Sequence, residues 1–121
     1  STHDMSPLRA WWKEDRGVTQ RFWNQILGKP GEAPADCTPD ISRSIIMMHL
    51  QSASMLAILP LQDYLSLKPE LCQADPEKER INVPAISPFY WRFRMKPTLE
   101  SLINDDITAY IHGLVRECGR K

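Results

Sequence analysis

One short apolar run constrains this chain more than anything else in it. Met55-Leu56-Ala57-Ile58-Leu59 is uninterrupted, and Pro60 closes it. A run this short and this apolar fits a β-strand buried on both faces, as in a parallel sheet, although Leu and Met also favour helices. The rest of the sequence is written for helices and loops, and one strand is not a sheet. Its backbone N–H and C=O groups would be buried without partners, which is costly. The chain is therefore expected to need further strands, supplied by preceding sequence or by another chain.

Around that run the helix signals are frequent. Ser6-Pro7 reads as a start, with Ser6 as N-cap and Pro7 at the first helical position. Leu8, Trp11 and Trp12 form its apolar face, and Gly17 is expected to end it. Val18, Phe22, Trp23, Ile26 and Leu27 follow as a second amphipathic helix, with Gly28 placed as a C-cap glycine. Residues 29–36 hold two prolines and a glycine, a loop composition. Thr38-Pro39-Asp40 repeats the start signal ahead of a stripe of Ile41, Ile45, Met48 and His49. A short helix over residues 61–67 follows the strand-like run. Residues 68–88 carry four prolines and the charged cluster Glu77-Lys78-Glu79-Arg80, an irregular connection long enough to suggest function. Pro97-Thr98 opens Leu99–Ile103, and Asp105 caps a last helix with Ile107, Tyr110, Ile111, Leu114 and Val115 as its core face. Arg116, Arg120 and Lys121 suit its C-terminal end.

Charge excludes some functions. Fifteen basic residues balance fifteen acidic ones, so the chain has no electrostatic footprint for nucleic acid or for an anionic membrane. No apolar run is long enough to span a bilayer. Cys37, Cys72 and Cys118 are odd in number and widely spaced, which argues against a disulfide framework and for a reducing compartment. With no visible signal peptide, the cytoplasm is the expected location. The three cysteines, with His3, His49 and His112, lack zinc-type spacing, so neither metal nor other cofactor is expected. His49 and His112 fall beside apolar helix faces, the usual place of a buried core histidine. The start at Ser1 rather than Met fits a piece of a longer protein.

Four motifs then carry a resemblance. Ser1-Thr2-His3-Asp4 with Leu8-Arg9-Ala10-Trp11-Trp12 resembles the THD…RxWW motif of amylomaltases and disproportionating enzymes, the 4-alpha-glucanotransferases. Pro60-Leu61-Gln62-Asp63-Tyr64-Leu65 resembles the PLQDLL segment of that family, and Arg80-Ile81-Asn82-Val83-Pro84 its RxNxP loop. Tyr90-Trp91-Arg92-Phe93-Arg94 is similar to the YWRFR form of the larger, plant-cytosolic-type subgroup. The motifs keep the family order, while the last helix is unspecific.

The resemblance implies an α/β fold. Residues 1–121 would be the C-terminal part of a (β/α)8 TIM barrel, from about the end of strand 7 to the last helix, mostly helical in this stretch. His3-Asp4 would follow strand 7, and Met55 to Leu61 would be strand 8, whose C-terminal end faces the active site in such barrels. The implied activity is retaining transfer of alpha-1,4-glucan segments or glucose between maltooligosaccharide donors and acceptors. Such transfer uses two carboxyl groups about 5–5.5 Å apart, as nucleophile and acid/base, around an oxocarbenium-like transition state. Both would lie upstream of Ser1, leaving this chain inactive alone. By resemblance Asp4, with His3, would grip the 2- and 3-hydroxyls of the donor sugar and stabilise the transition state. Gln62, Asp63, Arg80, Asn82 and Trp91 would bind substrate.

Each assignment has a plainer counterpart. A His-Asp pair is common in sequences. Trp11, Trp12 and Trp23 lie at helical spacing and suit a core better than sugar platforms. Asp63 is equally a helix cap or a substrate contact, and Arg80, Asn82, Trp91 and Arg92 suit a loop tied to its scaffold. The alternative to an enzyme part is a non-catalytic helical interaction module, with exposed apolar surface available for self-association or a partner.

Overall fold

The structure, a computed structural model, describes residues 2–89 and 91–120. Ser1, Tyr90 and Lys121, named above in two motifs and a helix end, lie outside the described residues. Six α-helices are present among those described: α1 (Leu8–Glu14), α2 (Arg16–Arg21), α3 (Pro39–Leu50), α4 (Leu61–Leu65), α5 (Leu99–Ile103) and α6 (Asp106–Glu117). A π-helical turn, Phe22–Ile26, extends α2, and 3-10 turns form at Pro69–Leu71 and Pro76–Glu79.

Side-chain caps fix most of the helix starts. Thr38 accepts from the Ile41 amide at the start of α3, with Pro39 in the first turn. Thr98 and Asp105 do the same for α5 and α6, accepting from Ser101 and Ile107. Each cap satisfies an amide that the helix itself leaves unpaired. Two expected boundaries move. The break between the first two helices falls at Asp15, not Gly17, because the extended Asp15 caps α2 by accepting from the Val18 amide at 3.0 Å. Ser6 does not cap α1; its hydroxyl contacts the Glu14 carboxylate, and Pro7 flanks the helix.

Two apolar clusters make the core, and α3 belongs to both. Leu8, Trp12, Ala33, Cys37, Ile41 and Ile45 form the first, with Trp11, Phe22, Trp23 and Leu27 packed against it. Trp12 is fully buried and donates its indole N–H to the Pro34 carbonyl at 2.9 Å, so all three N-terminal tryptophans are packing residues. Ile46, Met47 and Leu50 join Leu114 of α6 in the second cluster. Serving two clusters turns α3 further than a single stripe predicts: Ile46 and Met47 are buried, while Met48 and His49 are exposed. His112 is exposed as well, so neither helical histidine is a core residue.

The strand-like run departs most from expectation. No strand forms among the described residues. Met55, Leu56 and Ile58 are 93%, 74% and 69% exposed, and Leu59 packs onto the second cluster. No neighbouring strand lies beside the run among the described residues to make a ladder of it. The regular structure of the described residues is therefore all helical, without the sheet half of an α/β fold. Beneath Leu56 and Ile58 lies an apolar cavity of about 530 Å³, reaching Met5, Trp11 and Phe22. No helix among the described residues is long and apolar enough to cross a membrane.

Candidate functional site

The site begins with two anchors that fold the two halves of the chain together. The first is at the start of α1, where no local side chain caps the helix. Asp63, from α4, supplies the cap from a distance, its Oδ1 accepting from the Leu8 amide at 2.7 Å. Burial pushes the Asp63 carboxyl up to about 6, against the Leu8 amide, which holds it down.

The second anchor is a buried ion pair. Arg9, one residue into α1, donates from Nη1 to Glu79 Oε1 and to the Gln73 carbonyl, both at 2.9 Å. The Gln73 amide donates to the same Glu79 oxygen at 2.9 Å, and the Glu79 carbonyl accepts from Gln62 Nε2 at 3.1 Å. The Glu79 side chain is 5% exposed. Its acidity is weakened by burial, with the Gln73 amide and Arg9 pulling the other way. Beside it Arg80 pairs with Glu14 of α1 at 3.0 Å and with Glu77 at 3.6 Å. Residues 73–80, which have little secondary structure of their own, are thus bolted to α1 and α4.

Just beyond that bolt Asn82 meets the start of the chain. Its Nδ2 donates to Asp4 Oδ1 at 2.6 Å, across a separation of 78 residues. His3 Nε2 lies 3.3 Å from the same carboxylate oxygen. The Trp91 indole N–H donates to Asn82 Oδ1 at 2.9 Å, and its ring lies 4.6 Å from the His3 ring, centroid to centroid, tilted by 39°. The His3 and Asp4 side chains are each 48% exposed. Both side chains converge on Oδ1, Asn82 by a hydrogen bond and His3 by proximity. An open carboxylate with an imidazole, an amide and an indole around it is a polyol-binding chemistry: acceptors and donors for adjacent hydroxyls next to an aromatic surface.

Of the seven residues expected at a site, the structure brings four together: His3, Asp4, Asn82 and Trp91. The other three are placed below that face. Gln62 is buried against the Glu79 carbonyl, Asp63 caps α1, and Arg80 is tied to Glu14 and Glu77. Arg9 and Glu79 were not anticipated at all. Helical spacing places Arg9 beside Lys13 and off the Leu8, Trp11 and Trp12 face, so the pattern of the helix gives no signal of the pair. Among the described residues no group of three or more His, Cys, Asp or Glu side chains is arranged to hold a metal ion.

The Asp63 cap gives a pH signature. The folded carboxyl titrates at about 6 rather than at its ordinary 3.8, so between those values the folded state holds a proton that the unfolded chain has released. Stability from this group is intact below the lower value and is lost as pH rises through the folded one. Asp63→Asn keeps the oxygen facing the Leu8 amide and removes the titration. Its stability relative to the unsubstituted protein is expected to rise between pH 4 and pH 7, by at most about 3 kcal/mol for a shift of about two pH units. Urea denaturation of both proteins at the two pH values measures this; parallel pH profiles would show that Asp63 is not the group responsible.

Comparison with known proteins adds an independent line. A family profile described as 4-alpha-glucanotransferase matches residues 1–100. The rice (Oryza sativa subsp. japonica) 4-alpha-glucanotransferase DPE2 is 46% identical over 121 residues, which is 99% of this chain and 13% of the rice protein. A 4-alpha-glucanotransferase of Chlamydia muridarum is 37% identical over 84% of this chain and 19% of its own length. The chloroplastic/amyloplastic 4-alpha-glucanotransferase of potato (Solanum tuberosum) is 28% identical over 89% of this chain and 16% of its own length. The chain thus spans less than a fifth of the length of each of these relatives. No solved structure matches it.

Proposed function

The chain belongs to the 4-alpha-glucanotransferase family, and from that premise we propose that it forms the C-terminal part of a (β/α)8 catalytic barrel, from about the end of strand 7 to the last helix. The enzyme moves alpha-1,4-glucan segments or glucose between maltooligosaccharides, with retention and through a covalent glycosyl-enzyme. One observation carries the reading: His3 and Asp4 meet Asn82 and Trp91 from across 78 residues of chain, on an open face, with an apolar scaffold beneath. The exposed run from Met55 to Leu59 supports the barrel, because in that setting it becomes the eighth strand and finds neighbours on both sides.

In this reading Asp4 is the transition-state stabiliser. As the leaving group departs, positive charge builds on the anomeric carbon and ring oxygen, and hydroxyl contacts strengthen with it. A carboxylate held by His3 and Asn82 accepts hydrogen bonds from adjacent hydroxyls of the donor sugar while its charge opposes the one that forms. Asn82 completes the surface around that carboxylate, with Trp91 beside it. Gln62, Asp63 and Arg80 serve from beneath, by holding the loop and the start of α1. The nucleophile and the acid/base belong to another part of the enzyme. Three free cysteines fit a cytoplasmic setting. The apolar run left exposed in the chain alone favours self-association when nothing covers it.

Maltotriose tests the reading. The protein that carries this chain is expected to convert it into glucose and longer maltooligosaccharides, while the 121 residues alone are expected to do neither. No transfer by the complete protein would end the functional reading; transfer by the 121 residues alone would place the nucleophile within them.

A further inference from the structure

A carboxylate is aimed only as well as the groups around it, and Asn82 is a weak point. The two ends of its side-chain amide have nearly the same shape, and a half-turn about the last bond exchanges them. With the NH2 toward Asp4 the amide donates; reversed, it sets one acceptor oxygen against another. Loop residue Asn82 has few neighbours to choose between the two, and Trp91 is the one that does. An indole N–H can only donate, and it reaches Asn82 Oδ1 at 2.9 Å. The oxygen is thereby committed to Trp91 and the NH2 to Asp4. The same indole ring covers one face of the His3 imidazole, the second group on Asp4 Oδ1.

Resting on the function proposed above, we infer that Trp91 is a positioning residue rather than a sugar contact: its N–H fixes the orientation of the Asn82 amide, and through it the aim of Asp4. Both contacts occupy the indole edge and ring with protein groups, although the side chain as a whole is 59% exposed. A platform residue would instead leave its ring to the sugar and would have no need of a partner on Nε1.

The test uses the complete protein and maltotriose as substrate. Trp91→Phe keeps a ring over His3 and deletes only the donor, at an exposed position where folding has little to lose. Turnover is expected to fall about tenfold, the equivalent of one oriented hydrogen bond, with KM unchanged. Asn82→Ala, which deletes the amide and leaves Trp91 in place, is expected to cost at least as much. The double variant Trp91→Phe/Asn82→Ala is expected to match Asn82→Ala alone, because Trp91 acts only through the amide. Losses that multiply in the double variant, or a Trp91→Phe variant with raised KM and normal turnover, would overturn the positioning role and make the indole N–H a direct sugar contact. Normal transfer by Asn82→Ala would overturn the site reading itself, and the inference with it.

Discussion

Asp4→Asn in the protein that carries this chain is expected to reduce maltooligosaccharide transfer by about a thousandfold, roughly 4 kcal/mol of transition-state stabilisation. The change is nearly isosteric. An amide oxygen at the same place still accepts from Asn82 at the position where Asp4 Oδ1 now sits, 2.6 Å from Nδ2. The charge is what is lost, and charge matters most when the sugar becomes cationic. Substrate binding in the ground state therefore changes less than turnover does, which separates this role from ordinary binding. Steady-state kinetics with maltotriose, beside a thermal melt to show an intact fold, decides the matter. Turnover close to that of the unsubstituted protein would remove Asp4 from the site.

Arg9→Ala is expected to be the most damaging single change to folding, at about 3–5 kcal/mol, because it leaves the Glu79 carboxylate buried without its cation. Glu79 Oε2 already has no hydrogen-bond partner among the described residues, and the Gln73 amide that remains on Oε1 carries no charge to replace the guanidinium. The pH dependence follows from the same burial. Removing the cation raises the Glu79 carboxyl further above its ordinary range, since burial already pushes it up. The variant then carries its penalty above the ordinary glutamate value and sheds it as pH falls and the group takes a proton. Denaturant unfolding should show the deficit shrinking from pH 7 toward pH 4. Replacing both partners with apolar residues, Arg9→Met with Glu79→Leu, is expected to recover most of the stability while loosening residues 73–82. A deficit that is constant with pH, or no recovery in the double variant, would contradict this account of the pair.

These contacts show what could be read from the sequence and what could not. Local grammar was legible. Thr38, Thr98 and Asp105 act over two or three residues, and each caps the helix its position announces. The site was legible only through the resemblance, since a His-Asp pair at residues 3 and 4 says nothing of an asparagine at 82 until the chain is folded. Asp63 was recognisable as a cap or a contact, but the helix it caps begins 55 residues earlier, and no spacing rule spans that interval. Met48 and His49 were assigned inward from a single stripe, whereas α3 packs on two clusters and turns a different side out. The run from Met55 to Leu59 reads as a buried strand in the sequence and forms no strand among the described residues, because whether neighbours are present is not a property of the run.

The long reach of these contacts also sets an order of events during synthesis. Helix α1 is made before the residues that hold it: its start waits for Asp63 and its buried arginine waits for Glu79. Asp4 then waits for Asn82, 78 residues later, an interval of roughly 4–16 s at ordinary translation speeds of about 5–20 residues per second. The apolar side of α1 is covered sooner, by residues 22–45, so the core of this stretch can close before its open carboxylate is aimed.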